Sequence, residues 1–229
     1  MQQAINLTLN RNFKIRNFEE DKAATLNTNP GLRYEGEVKD YKKFSGSFYL
    51  KNESGELIES FNVIIGVNKK SYPNAFPVLL STDDKIDRNA DYHMDIEGVV
   101  CLEHPYISNR LALGGIRIYD FINYYLSRYF SWVLVKKYGH SEILEEWQHQ
   151  DKGTIQLYQE LLGTTDDKII SLFIEQYCKT AKIQPNEKCY CGSGLKLKKC
   201  HFDAAILLKS TSKKVLIHDL RLFKNEIIT

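Results

Sequence analysis

Apolar positions along the chain change period twice. Over residues 18 to 26 their spacing predicts a short helix, ended by "NTNPGL", where Pro30 and Gly31 both oppose helical continuation. The period then falls to two. "FSGSFYL" places Phe44, Gly46, Phe48 and Leu50 on one face, "NESGE" turns the chain, and "SFNVIIGV" places Phe61, Val63, Ile65 and Val67 on one face. With "LRYEGEV" before them and "PVLLST" after, the pattern predicts a four-stranded antiparallel meander.

Beyond an irregular segment that holds Cys101, helical spacing returns. "LEHPYISN", just after that cysteine, reads as exposed loop. Residues 114 to 138 are apolar almost all round, as a buried helix is. Ile143, Leu144 and Trp147, then Ile155, Tyr158, Leu161 and Leu162, predict an amphipathic stretch interrupted near Gly153; Ile169, Ile170, Phe173, Ile174 and Tyr177 form a last stripe. Helix, strands, irregular segment and helices together place the chain in the α+β class. "IQPNEK", residues 183 to 188, reads as a linker. The expected division is therefore a main domain over 1–182, a small metal module over 183–210 and a tail over 211–229, for which the pattern predicts no fold.

Composition narrows the classes. A chain of 229 residues with 43% hydrophobic content supports a real core. The formal charge is only +2, from 31 basic and 29 acidic residues, so the chain as a whole carries no field that would recruit nucleic acid or anionic lipid. The first twenty residues lack the apolar core of a secretion signal, and Arg117, Asp120, Asn123 and Arg128 interrupt the most apolar stretch, so a soluble, cytoplasmic protein without a membrane span is expected. Five cysteines is an odd number, and three of them lie within twelve residues beside a histidine, a pattern suited to metal in a reducing compartment.

Those residues are Cys189, Cys191, Cys200 and His201, three thiolates and one imidazole in thirteen residues, the donor set of a closed tetrahedral zinc site. Gly192 and Gly194 stand where the chain must turn tightly. So small a segment has little core of its own, and zinc is expected to supply its folding energy, on the order of 10 kcal/mol. "CYCGSGLKLKKCH" resembles the SEC-C motif at every defining position, which implies a structural, partner-docking zinc module without catalytic water. From Lys182 to Lys214 eight lysines face two acids, with no arginine and no aromatic interleaving, which favours protein over nucleic acid as a partner.

"DYHMDIEGVVCL", residues 91 to 102, raises a second question. A cysteine between Val100 and Leu102 is ordinarily a small buried hydrophobe. Gly98, His93 and the polar stretch that follows argue instead for a nucleophile. Bringing a thiol from its usual pKa of about 8.5 to about 7 takes roughly 2 kcal/mol of thiolate stabilisation, within reach of one histidine or a few backbone N–H groups.

The order of these features, a short helix, a meander, Tyr72-Pro73, His93-Met94-Asp95 and Gly98-x-Val100-Cys101-Leu102, resembles a ubiquitin-conjugating enzyme over roughly residues 15 to 135. The resemblance implies a UBC-like fold with Cys101 as the catalytic thiol. Asp95 stands where that family has an asparagine whose amide supports the oxyanion. An ionised carboxylate there would repel the developing charge, so either Asp95 is protonated or backbone N–H groups and His93 take that part.

Joined to a SEC-C module, such a chain resembles the conjugating proteins of bacterial cGAS-like (CBASS) anti-phage operons. That implies a protein substrate, the C-terminal tail of a cGAS-like nucleotidyltransferase, taken by Cys101 as a thioester and passed to a lysine. The chain has no Gly-rich phosphate loop, so the thioester calls for a separate activating enzyme or for attack on a peptide bond with His93, or behind it His104, as general base. Two other readings stand beside the transferase: a non-catalytic adaptor, and a cysteine protease or deconjugase.

Overall fold

The computed structural model describes residues 17–139, 150–179 and 182–224. They form two compact units, one of the residues up to His104 with Leu111 to Gly139, the other of Pro105–Arg110 with the residues from Gln150 on. The class is α+β, as expected. Among the described residues no helix is long and apolar enough to cross a membrane.

The first unit begins with α1 (Phe18–Thr28), whose N-cap Asn17 accepts from the Glu20 N–H at 2.9 Å while Glu19, Glu20 and Asp21 fill the positive first turn. The strands β1 (Leu32–Val38), β2 (Tyr41–Lys51), β3 (Leu57–Asn68), β4 (Val78–Ser81) and β5 (Val99–Val100) pair antiparallel in chain order. The meander thus has five strands rather than four; β5 is too short for a period to show. One row runs across the sheet: Phe44 opposite Ile65, Ile65 opposite Leu79, Leu79 opposite Val100, all buried.

A continuous helical run lies on this face. It starts as α3 (Ile118–Asp120), passes through a π-turn segment (Phe121–Leu126) and continues as α4 (Ser127–Lys137). Its start is Ile118, not residue 114, because Gly114 and Gly115 close a turn before it. Ile118, Phe121, Ile122, Leu126, Phe130 and Val133 are buried, and Phe130 stacks on Phe61 at 4.1 Å and on Phe48 at 5.7 Å between ring centres. Buried Asp21 ties three parts together. Its carboxylate accepts from the Ile118 N–H (2.5 Å), the Tyr119 N–H (3.3 Å) and the Tyr72 hydroxyl (2.6 Å), satisfying N–H groups that a helix start leaves without partners. Burial and then the Asp21 carboxylate push the Tyr72 phenol upward.

"LEHPYISN" is not a loop. Pro105 opens α2 (Pro105–Leu113), a first-turn position where its missing N–H costs nothing, and Tyr106 and Ile107 are buried.

In the second unit α5 (Gln150–Leu162) runs through Gly153 without interruption, and α6 (Asp167–Lys179) buries Ile170, Phe173, Ile174 and Tyr177. Ile143, Leu144 and Trp147 lie outside the described residues. The metal segment is followed by α7 (Phe202–Ser210) and α8 (Lys213–Lys224). The 183–188 stretch therefore does not divide the units, and Lys213–Lys224 of the tail form a helix that buries Leu216, Asp219 and Phe223. Asp219 accepts from the Tyr158 hydroxyl at 2.9 Å and from that of Tyr106. Burial pushes its carboxyl up to about 7.

Because the folded carboxyl holds its proton to higher pH than the usual 3.8, the stability it contributes is complete below about pH 4 and declines as pH rises to about 7. Asp219→Asn, which keeps an acceptor and no charge, is expected to flatten that slope in thermal melts. Asp219→Ala strips two buried hydroxyls of their acceptor and is expected to cost about 1–3 kcal/mol.

Candidate functional site

Two places in the molecule concentrate reactive side chains, one in each unit. The first is a small hairpin. Asn89 caps a 3-10 turn (Ala90–Tyr92) by accepting from the Tyr92 N–H at 3.2 Å, and His93 follows in the left-handed region at φ 50°. Met94 then bridges Val100, and the Cys101 N–H donates to the His93 carbonyl at 2.8 Å, so His93 and Cys101 stand on one rung. Gly98 closes the turn at φ +89°; a Cβ there would lie 2.5 Å from the Ser81 carbonyl, so no other residue fits.

Alternation along the strand decides the side of the sulfur. Val100 is on the buried row, and the next residue points the other way, leaving Cys101 exposed. Its thiol donates weakly to the Glu103 carbonyl at 3.6 Å. Local burial and then the charge of Glu103 push its pKa above the ordinary 9.0, against the expectation of a lowered value. The hairpin does not bring Asp95 to the sulfur by any hydrogen bond. Its Oδ1 accepts from the Glu97 and Val99 N–H groups at 2.9 and 2.8 Å, which makes it the residue that forms the turn. His104 is half-buried and desolvation lowers it to about 4, so it is neutral at neutral pH.

Glu103 had no signal in the sequence. Its side chain is 16% exposed, its carboxyl lies 4.0 Å from Arg128, and burial raises its pKa. A lone acid between Leu102 and His104 has no periodicity to mark it, and only the fold reveals that it is desolvated beside the thiol.

The second place is the metal segment. A bridge between Lys188 and Lys196 closes a loop in which the Cys189 N–H donates to the Leu195 carbonyl at 2.7 Å, and Gly192 and Gly194 take φ of +81° and +74°. This brings the ligand atoms of Cys189, Cys191, Cys200 and His201 within 4.8 Å of one another. Cys189 Sγ is 3.3 Å from His201 Nδ1, Cys191 Sγ is 3.6 Å from Cys200 Sγ, and Cys200 Sγ is 3.3 Å from His201 Nδ1. Ligands about 2.3 Å (sulfur) and about 2.0 Å (nitrogen) from one tetrahedral zinc lie about 3.5–3.8 Å apart, so donor set and spacing both fit zinc, with four protein ligands and no place for a reactive water.

Burial pushes the Cys189 thiol up to about 11. At Cys191 burial is outweighed by hydrogen bonds from Ser193 and the neighbouring thiols, which bring it down to about 6. The segment has more apolar support than its own sequence suggests: Leu197 is buried, and His201 and Tyr190 meet Phe173 of α6 edge-on at 5.9 and 6.5 Å.

The SEC-C motif family matches residues 186–203, the span that holds all four ligands. No curated protein and no solved structure matches the chain.

Two outcomes are expected. Purified protein carries zinc in a one-to-one ratio by elemental analysis, and Cys200→Ser, or chelation, removes it and lowers the melting temperature of the second unit, more easily at low pH, where protons compete for the thiolates. Alkylation at Cys101, followed by peptide mapping, keeps accelerating above pH 9.0, because the thiol titrates above its ordinary value. A plateau near neutrality would contradict that placement of the thiol.

Proposed function

We propose that Cys101 is the nucleophile of an acyl-transfer reaction, carried on a ubiquitin-conjugating-type scaffold. The observation that carries this is the exposed thiol at the end of β5, on the same rung as an imidazole-bearing residue in a left-handed backbone conformation. The backing of a meander by one long helical run supports the same reading.

The chemistry balances in two steps. The Cys101 sulfur attacks the carbonyl carbon of an acyl donor delivered as a thioester by an activating enzyme; its proton passes to the His93 imidazole and on to the departing thiolate. An acceptor lysine amine then attacks the new thioester, the C–S bond breaks, and the amine's proton returns through His93 to the Cys101 thiolate. Asp95 is engaged with its turn, so the oxyanion falls to backbone N–H groups and to His93.

The acyl group is the C-terminal tail of a partner protein, a cGAS-like nucleotidyltransferase in an anti-phage operon. The SEC-C module, with Lys188, Lys196, Lys198 and Lys199 exposed around its ligands, serves to dock that partner system. One observation favours a second reading, an adaptor without catalysis: the thiol is held protonated, not activated.

Intact-mass analysis after mixing with the candidate synthase and an activating enzyme separates them. The transferase gives an adduct that hydroxylamine removes, that Cys101→Ala never forms and that Cys101→Ser turns into a longer-lived oxyester. Partner binding unaffected by Cys101→Ala, with no adduct under any condition, would leave the adaptor.

A further inference from the structure

Three consecutive residues of the hairpin are held by three side chains of α4. Lys136 Nζ donates to the Asp91 carbonyl at 2.7 Å, the Tyr129 hydroxyl donates to the Tyr92 carbonyl at 2.8 Å, and the His93 ring packs on the Trp132 indole at 5.2 Å between centres, tilted by 63°. Positions 129, 132 and 136 follow i, i+3, i+7 and so share one face of the helix. The three also brace one another. Trp132 stacks on Tyr129 at 5.9 Å, Lys136 Nζ lies 4.9 Å from the indole centre and 5.7 Å from the Tyr92 ring, and Tyr92 meets Trp132 edge-on at 6.2 Å.

This grip falls where the backbone most needs it. His93 occupies a left-handed conformation that a non-glycine residue reaches only when its surroundings enforce it, and its carbonyl is the acceptor for the Cys101 N–H. We propose that Trp132 is a positioning residue for His93: α4 fixes the 91–93 turn through Tyr129 and Lys136, and the indole sets the plane in which the imidazole is presented on the rung of Cys101. The inference rests on the reading of Cys101 and His93 as a reacting pair. Trp132 itself touches no reacting atom; its effect is transmitted through the ring it supports.

The test separates this inference from the transferase itself by reading the thiol directly. Iodoacetamide alkylation at Cys101, quantified by peptide mapping at neutral pH and repeated across pH, is compared in wild type, His93→Ala, Trp132→Ala, Trp132→Phe and the His93→Ala/Trp132→Ala double variant. The expected result is a slowing of about tenfold or more in each alanine variant, no further slowing in the double variant, the same change of the pH profile in both single variants, and rescue by Trp132→Phe.

Additive effects in the double variant, or an unchanged rate in Trp132→Ala beside a reduced one in His93→Ala, would overturn the positioning role, as would rates that respond to neither residue. If thermal melts show Trp132→Ala to be unfolded, Trp132→Leu, which keeps apolar bulk without an aromatic face, and Lys136→Met decide, a rate and profile equal to wild type in both counting against the proposal. Adduct formation with the synthase is scored separately: coupled alkylation without any adduct keeps the positioning role and removes the transferase, and an adduct without coupling does the reverse.

Discussion

The register of one row across the sheet constrains everything at the candidate site. Phe44, Ile65, Leu79 and Val100 are successive cross-strand neighbours, all turned into the core, and each stabilises the fold by about 1.5–3 kcal/mol of side-chain burial. Because side chains alternate, fixing Val100 inward fixes Cys101 outward. A slip of one residue in the short β5 would bury the sulfur and expose a valine, so the apolar row and the accessible thiol are one fact. Gly98 enforces the slot from the other side, since any Cβ would strike the Ser81 carbonyl and push β5 off β4.

Two buried carboxylates hold the helices of their own units, by different means. Asp21 receives two backbone N–H groups at the start of the central helical run and a tyrosine hydroxyl. Asp219 receives two phenols, and burial raises its carboxyl to about 7. The joint at Asp219 is therefore sensitive to pH near neutrality. Neither is legible from sequence, because an aspartate among helical residues looks the same whether its partners are water or buried hydroxyls.

What the sequence does show follows the same physics. The period-two faces appear in the structure as buried Phe44, Phe48 and Leu50 in β2 and Phe61, Val63, Ile65 and Val67 in β3, since alternation is a local property that burial only selects. The Cys189, Cys191, Cys200 and His201 cluster was legible because soft donors crowded at short spacing have few other uses. What failed had non-local causes. β5 is two residues long and exists only because β4 offers an edge; α2 opens on a proline that favours a turn in isolation; and α8 is held by packing against α6 and by Phe223 meeting Tyr158 of α5 edge-on. The raised pKa of Cys101 belongs to this group too, for only the fold sets the shielded Glu103 carboxyl beside the thiol.

That raised pKa bears on which acyl chemistry suits the hairpin. A hydrolytic cysteine works best as a thiolate formed before substrate arrives, which requires a lowered pKa beside an imidazolium. A carrier has another requirement. Intrinsic nucleophilicity of a thiolate rises with its pKa, and a thioester whose sulfur is a poor leaving group departs slowly unless it is assisted. A thiol kept protonated by burial and by the charge of Glu103 is therefore slow to react alone, holds an acyl group once loaded, and depends on a base such as His93 at the moment of exchange. On this ground a raised thiol pKa suits the proposed transferase better than a protease.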